Sequence, residues 1–195
     1  GGEALAIEAD VADPATPARL FDAAEVLGPV TALVNNAGIT GTLGRLADLP
    51  LETLRRTIDT NLTGTILMAQ EAVRRWEDTG TRGRMVNISS VAATLGAPGE
   101  YVHYAATKAA VEALTIGLGK EVAARGIRVN AVSPGTTMTE IHAAGGNPDR
   151  PAEVAPRVPL GRVAEPEEIA AAVLWLLGDE ASYITGAVLR VGGGV

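Results

Sequence analysis

Cysteine is absent from the 195-residue chain, so neither a disulfide framework nor a thiolate metal site is available to it. Histidine is almost absent: His103 and His142 are the only two, far apart and without ligand-type spacing, which argues against a metal centre. Aromatic residues make up 3% of the chain and hydrophobic residues 47%. The core must therefore be built from Ala, Val, Leu and Ile, packed as helix-on-sheet layers. Long apolar runs are missing too. The longest, Ile169 to Leu177, has nine residues, against the ~20 that a bilayer-spanning helix needs. No signal-peptide pattern is visible, so a cytoplasmic protein without a membrane partner is expected. Basic charge is scarce: 16 Lys and Arg stand against 23 Asp and Glu, a net charge of −7. Without a basic stripe, this balance argues against a nucleic-acid groove. There is no G-x-S-x-G elbow and no histidine suitably placed after a nucleophile, which disfavours a serine hydrolase.

What is present alternates between strand-like and helix-like stretches. Residues 4–10 read as a short strand ending at Asp10, and Asp13-Pro14 as a helix start. That helix stops at Gly28-Pro29. Thr31 to Asn35 reads as the next strand, followed by a loop over 38–50. Residues 51–79 form one long helical stretch with weak helix formers, Thr60-Asn61, in the middle, where a kink is expected. A strand over 84–89, a loop with Gly96, Pro98 and Gly99, and a helix from Val102 to about Ala124 follow. Ile127 to Val132 is a strand. Segment 134–165 is expected to be mostly irregular, with seven Pro and Gly between 145 and 161. Pro166 opens a last helix through Leu177, and Ala187 to Val191 is the last strand. Such alternation predicts one α/β domain over 1–195, a doubly wound parallel sheet in three α/β/α layers.

Ligands on such sheets bind beyond the carboxyl ends of the strands. Asp10, Asn36, Ser90 and Pro134 all fall at such ends. Just downstream, Tyr104 and Lys108 lie one turn apart on one helix face. A free tyrosine titrates near ~10. A nearby ammonium favours the phenolate, so this pair is expected to make an acid/base that works near neutrality. His103 and His142 flank the same region, where a minor substrate contact is the most they are expected to offer. Trp175 reads as core or subunit contact.

Taken together, several motifs give the sequence its family likeness. They are Asp10-Val11, the NNAG run at 35–38, Asn61 within Thr60-Asn61-Leu62-Thr63-Gly64, and Ile88-Ser89-Ser90. The Tyr104/Lys108 pair, Arg128-Val129-Asn130-Ala131-Val132-Ser133-Pro134-Gly135 and Ile184-Thr185-Gly186 complete the set. In this order the chain resembles the short-chain dehydrogenase/reductase family. The resemblance implies a Rossmann-like fold and hydride exchange between NAD or NADP and a small alcohol or carbonyl substrate. It implies that Tyr104 is the general acid/base and that Lys108 lowers its pKa and holds the nicotinamide ribose. Ser90 would hydrogen-bond the substrate oxygen, and Asn61 would hold a water linking Lys108 to solvent. Asp10 and Val11 would contact the adenine, and Asn36, Ala37 and Gly38 would line the ribose. Pro134, Gly135, Thr137 and Thr139 would clamp the nicotinamide. Helices 51–79 and 101–125 would pair across subunits into a dimer or tetramer.

The family's glycine-rich phosphate turn does not precede Asp10, and the resemblance starts at what should be its third strand. The expectation is of a partial domain or fragment lacking the first strand-helix-strand-helix, in keeping with the opening Gly1-Gly2-Glu3. Strand 4–10 would then either pair directly with 31–35 or keep its family place with a gap beside it. Gly192 stands where the family's closing V-D-G-G pattern commonly has Asp. A competing reading is a non-catalytic assembly subunit that has lost cofactor binding.

Overall fold

In the computed structural model, which describes residues 2–195, four parallel strands stand side by side in chain order. They are β1 (Ala32–Asn35), β2 (Arg84–Ile88), β3 (Arg128–Pro134) and β4 (Val188–Val191). In register, Val34 lies opposite Val86, Val86 opposite Asn130, and Val132 opposite Leu189. Parallel neighbours cannot be joined by a tight hairpin, so each connection crosses over through helices.

Strand side chains alternate between the two faces. Met85 and Val129 join Phe21, Met68, Ala72, Trp76 and Val122 in one buried cluster. Val86 and Val132 join Val173 and Leu176 in the other. Helices α3 (Gly64–Thr79) and α5 (Val102–Glu121) thus cover one face and α8 (Pro166–Leu177) the other. Each buried side chain of this size contributes roughly 1.5–3 kcal/mol. Helix α1 (Thr16–Glu25) lies on α3, where Arg75 reaches Asp22 at 2.6 Å and Glu25 at 3.0 Å. Because the strands follow chain order while α5 and α8 lie on opposite faces, the last crossover has the opposite hand from the one before it. With the others following the right-handed rule, which holds in ~98% of cases, the last is left-handed.

The long helical stretch over 51–79 is indeed interrupted where Thr60-Asn61 weaken it. Helix α2 (Leu51–Ile58) passes into a π-helical turn over Asp59–Thr63 and then into α3. The carbonyl of Asp59 accepts the Gly64 N–H, five residues on. Gly64 is required at that junction. A Cβ there would lie 2.8 Å from Val11 Cγ2 and 2.9 Å from the Val11 carbonyl oxygen.

At the far end of the sheet two arginines gather the last carbonyls of α8. Arg128 donates to Leu176 O at 2.9 Å and Gly178 O at 3.0 Å, and Arg84 to Leu177 O at 3.0 Å. Cations suit a helix C-terminus, where the backbone dipole is negative. The start of α8 follows its sequence signals, with Pro166 in the first turn and the Glu168 carboxylate accepting the Glu165 N–H at 2.9 Å.

Three expectations need correction. Residues 4–10 form no strand and pair with nothing in the sheet. A strand is held by its ladder, and this segment has no neighbour to ladder with. It is tied instead by Arg19 donating to the Glu8 carbonyl at 3.1 Å. The first helix starts at Thr16, after a turn in which Asp13 accepts the Ala15 N–H at 2.9 Å. The loop over 91–103 contains a short helix, α4 (Ala92–Leu95). Segment 134–165 is mostly irregular, as expected, around the short helices α6 (Ile141–Ala144) and α7 (Arg150–Val154). This segment crosses the carboxyl edge of the sheet, closed by a bridge between Thr137 and Ala164.

Candidate active site

The carboxyl ends of β1, β2 and β3 open into a cavity of about 410 Å³. Asn36, Gly38, Ser90, Tyr104, Lys108, Pro134, Gly135, Thr137 and Thr139 all line it. Residues from four separate stretches of chain therefore meet in one space. Two further cavities, of about 610 and 620 Å³, adjoin through Gly38. The first of these is lined by Asp10, Val11 and Ala37. The result is a run of concave surface along the sheet edge, from the end of the N-terminal segment to β3.

Helix α5 presents Tyr104 and Lys108, which are only 7% and 4% exposed. Burial pushes the Tyr104 phenol up to about 12, and the Ser90 side chain, as a hydrogen-bond partner, pulls it down by less. Burial also pushes the Lys108 ammonium down to about 8. Its Nζ donates to the Ile88 carbonyl at 2.7 Å and sits 5.7 Å from the Tyr104 ring centroid. This differs from the expectation drawn from the Tyr-x-x-x-Lys spacing. Lys108 is not among the groups that move the phenol, and desolvation outweighs any help to the phenolate.

The adjacent serines divide by strand alternation. The Ser89 hydroxyl donates to Glu112 Oε1 at 2.7 Å and so is committed to α5. Ser90 Oγ accepts the Ala92 N–H at 3.2 Å and acts on the phenol.

Asn61, within the π turn, is fully buried and does not line the cavity. Its Oδ1 accepts the Ile39 N–H at 2.8 Å, and its Nδ2 donates to the Ile39 carbonyl at 2.9 Å and to Thr107 Oγ1 at 3.1 Å. Both amide donors are engaged, so in this structure Asn61 clamps the loop after β1. Thr107, which sequence reasoning missed, then donates to the Tyr104 carbonyl at 2.7 Å. It sits one turn from Tyr104 on the same helix, a spacing that marks it only once Asn61 is known to face it.

Asp10 is exposed, and its carboxylate accepts the Ala12 N–H at 2.9 Å, forming a turn. Thr137 donates to the Gly135 carbonyl at 3.0 Å, and Thr139 reaches Thr137 O at 3.5 Å. Gly135 passes so close to Gly192 that a Cβ on it would lie 3.0 Å from the Gly192 Cα. Gly192 in turn has Val91 Cγ1 3.1 Å from where its own Cβ would stand, so glycine suits the position where the family's pattern has Asp. His142 lines the cavity and its Nε2 is 2.9 Å from the Thr137 carbonyl. His103 does not line it. It is buried against Thr40 and Gly41, its Nε2 has no partner, and burial lowers its pKa. Trp175 is 43% exposed and thus no core residue.

Lys108 keeps donors for a ligand in the cavity. An ammonium has three N–H donors, and among the described residues the Ile88 carbonyl is the one acceptor bonded to Lys108 Nζ. Gly38 leaves room beside it, since a Cβ there would come within 3.3 Å of both Lys108 Nζ and Asn61 Oδ1. Among the described residues no group of three or more His, Asp or Glu is arranged to hold a metal. No helix among them is long and apolar enough to cross a membrane.

Comparison with known proteins agrees with this architecture. The family model described as enoyl-(acyl carrier protein) reductase matches residues 1–195. The chain is 47% identical over 197 residues to the uncharacterized oxidoreductase YgfF of Escherichia coli K12, covering 100% of this chain and 80% of that protein. It is 37% identical over 196 residues to glucose 1-dehydrogenase 2 of Bacillus subtilis, covering 100% and 76% respectively. Its fold is similar to the crystal structure of a short-chain type dehydrogenase/reductase from Mycobacterium marinum, with a TM-score of 0.92 and 38% identity over 100% of this chain and 76% of that one.

Proposed function

The chain belongs to the short-chain dehydrogenase/reductase family of oxidoreductases, and on that premise we propose that it interconverts an alcohol and a ketone or aldehyde, with NAD or NADP as cofactor. The observation that carries this reading is that Ser90, Tyr104 and Lys108 share one cavity wall. When bound, the nicotinamide supplies or accepts the hydride. Lys108, with two N–H donors to spare, would hold the ribose hydroxyls. Asn36, Ala37 and Gly38 would line the dinucleotide's path, Asp10 and Val11 would meet the adenine, and Pro134, Gly135, Thr137 and Thr139 would border the nicotinamide.

The proton chemistry belongs to the chain. With its phenol raised to about 12, Tyr104 is protonated throughout the neutral range. That is the form a general acid needs when a carbonyl is reduced. Ser90 Oγ donates a hydrogen bond to the same substrate oxygen and stabilises the charge developing on it. Asn61 acts from behind, fixing the Ile39 loop and, through Thr107, the turn of helix that carries Tyr104. The reading extends to a homo-oligomer. Ile66 on α3 and Ile116 on α5 are 41% and 40% exposed, which supports a second copy packing on these helices.

The test is Tyr104→Phe. Turnover should fall by roughly 10²–10⁴-fold while the nicotinamide fluorescence change on cofactor binding persists. A Tyr104→Phe protein that turns over normally would falsify the assignment.

A further inference from the structure

The outer wall of the cavity holds a cluster that the reaction as described does not use. Arg150, in α7, is 8% exposed. Its Nη1 donates to Glu100 Oε1 at 3.0 Å, and its Nη2 donates to Glu100 Oε2 and to Tyr101 Oη, both at 2.7 Å. The guanidinium carbon lies 5.0 Å from the Tyr101 ring centroid. The Tyr101 ring meets the Tyr104 ring edge-on, at 5.3 Å between centroids and 86° between planes. Glu100 and Tyr101 line the same cavity as Tyr104. Both also donate their backbone N–H to the Ala97 carbonyl, at 3.2 Å each, so the turn carrying them is fixed.

We propose that Arg150 is a positioning residue for Tyr104. It acts through Tyr101, whose ring it holds against the phenol ring, and through Glu100, whose charge it neutralises at the cavity wall. The proposal rests on the reading of Tyr104 as the acid/base. Two effects follow from one side chain. An aromatic ring packed edge-on and hydrogen-bonded at its hydroxyl cannot tilt freely, so the neighbouring phenol stays aimed into the cavity. A carboxylate left bare in that cavity would oppose the negative charge that develops on a carbonyl oxygen during reduction. The bidentate guanidinium removes that opposition. Arg150 also ties the segment crossing the sheet edge to the loop before α5, two parts of the wall otherwise far apart in sequence.

The experiment uses the chain labelled with ¹³Cζ-tyrosine, with resonances assigned from the three Tyr→Phe variants. In ligand-free protein, Arg150→Met should shift or broaden the Tyr104 resonance while circular dichroism stays unchanged. In turnover, Arg150→Met should lower kcat by roughly 10- to 100-fold, with a smaller change in KM. Adding Glu100→Gln to Arg150→Met should recover several-fold, because the bare charge is gone. If Arg150→Met does not fold, Arg150→Lys and Tyr101→Phe decide instead, each expected to lower kcat at least about threefold. An unmoved Tyr104 resonance in folded Arg150→Met overturns the proposal. So does a rise in KM alone, no recovery in the double variant, or unchanged kcat in both conservative variants. Failure of the underlying reading looks different: Tyr104→Phe would then keep its turnover whatever the resonance does.

Discussion

Lys108 should make the stability of this protein rise between pH 8 and 10. Its side chain is 4% exposed, and burial moves its ammonium from 10.5 to about 8. At 1.36 kcal/mol per pH unit that displacement corresponds to about 3 kcal/mol. The group is depressed in the folded state, so the unfolded chain binds more protons between the two values. Stability therefore increases with pH across that window, by at most about 1.36 kcal/mol per pH unit. Below pH 8 the full cost is present; above 10.5 it vanishes. The Ile88 carbonyl, accepting from Nζ at 2.7 Å, favours the ammonium and trims the effect, so a gain of roughly 1–3 kcal/mol is expected. The assay is urea denaturation of wild type and Lys108→Met at pH 7, 8, 9 and 10. Taking the difference cancels the other titrating groups. Tyr104 stays out of the window because its raised value removes stability only as pH climbs from 10 towards 12. A wild-type-minus-variant difference that stays flat from pH 7 to 10 would refute the argument that the ammonium is desolvated.

Two further outcomes follow from close contacts within the fold. Asn61→Ala removes the partner of both backbone groups of Ile39, so it should cost roughly 2–4 kcal/mol by denaturation and loosen the loop to hydrogen exchange. Equal stability would mean that water replaces the amide at no cost. Gly119→Ala should lower the melting temperature by an amount equivalent to roughly 1–3 kcal/mol, because the new Cβ lies 2.7 Å from the Gly186 nitrogen, which is backbone and cannot turn aside. A melting temperature within a degree of wild type would contradict that close approach.

The sequence made some features plain because they are local. Pro166 and Glu168 mark the start of α8, and weak helix formers at Thr60-Asn61 mark the interruption of the long helix. The reason for that interruption is not local. Asn61 turns inward to satisfy Ile39, which lies 22 residues earlier. Residues 4–10 carry a strand's composition, yet without a ladder neighbour composition alone makes no strand. The family resemblance singles out Ser90 over Ser89, but that the Ser89 hydroxyl is committed to Glu112, 23 residues on, is not local. The Tyr104/Lys108 spacing was legible, but the balance between burial and charge that sets the phenol was not, since it depends on how deeply the packed helix sits. Arg150 and Glu100 are separated by 50 positions, and no motif joins them.

The five-residue turn at Asp59–Thr63 holds one residue more than an α-turn and absorbs it locally, so the helix beyond it stays in phase. An ordinary helix advances about 100° per residue. Losing a position between that turn and Trp76 would swing the indole, which donates to the Val30 carbonyl at 2.7 Å, away from the sheet. Surface loops can lengthen or shorten over generations at little cost; this helix cannot, because its residue count is what keeps an amide at one end and an indole at the other both facing home.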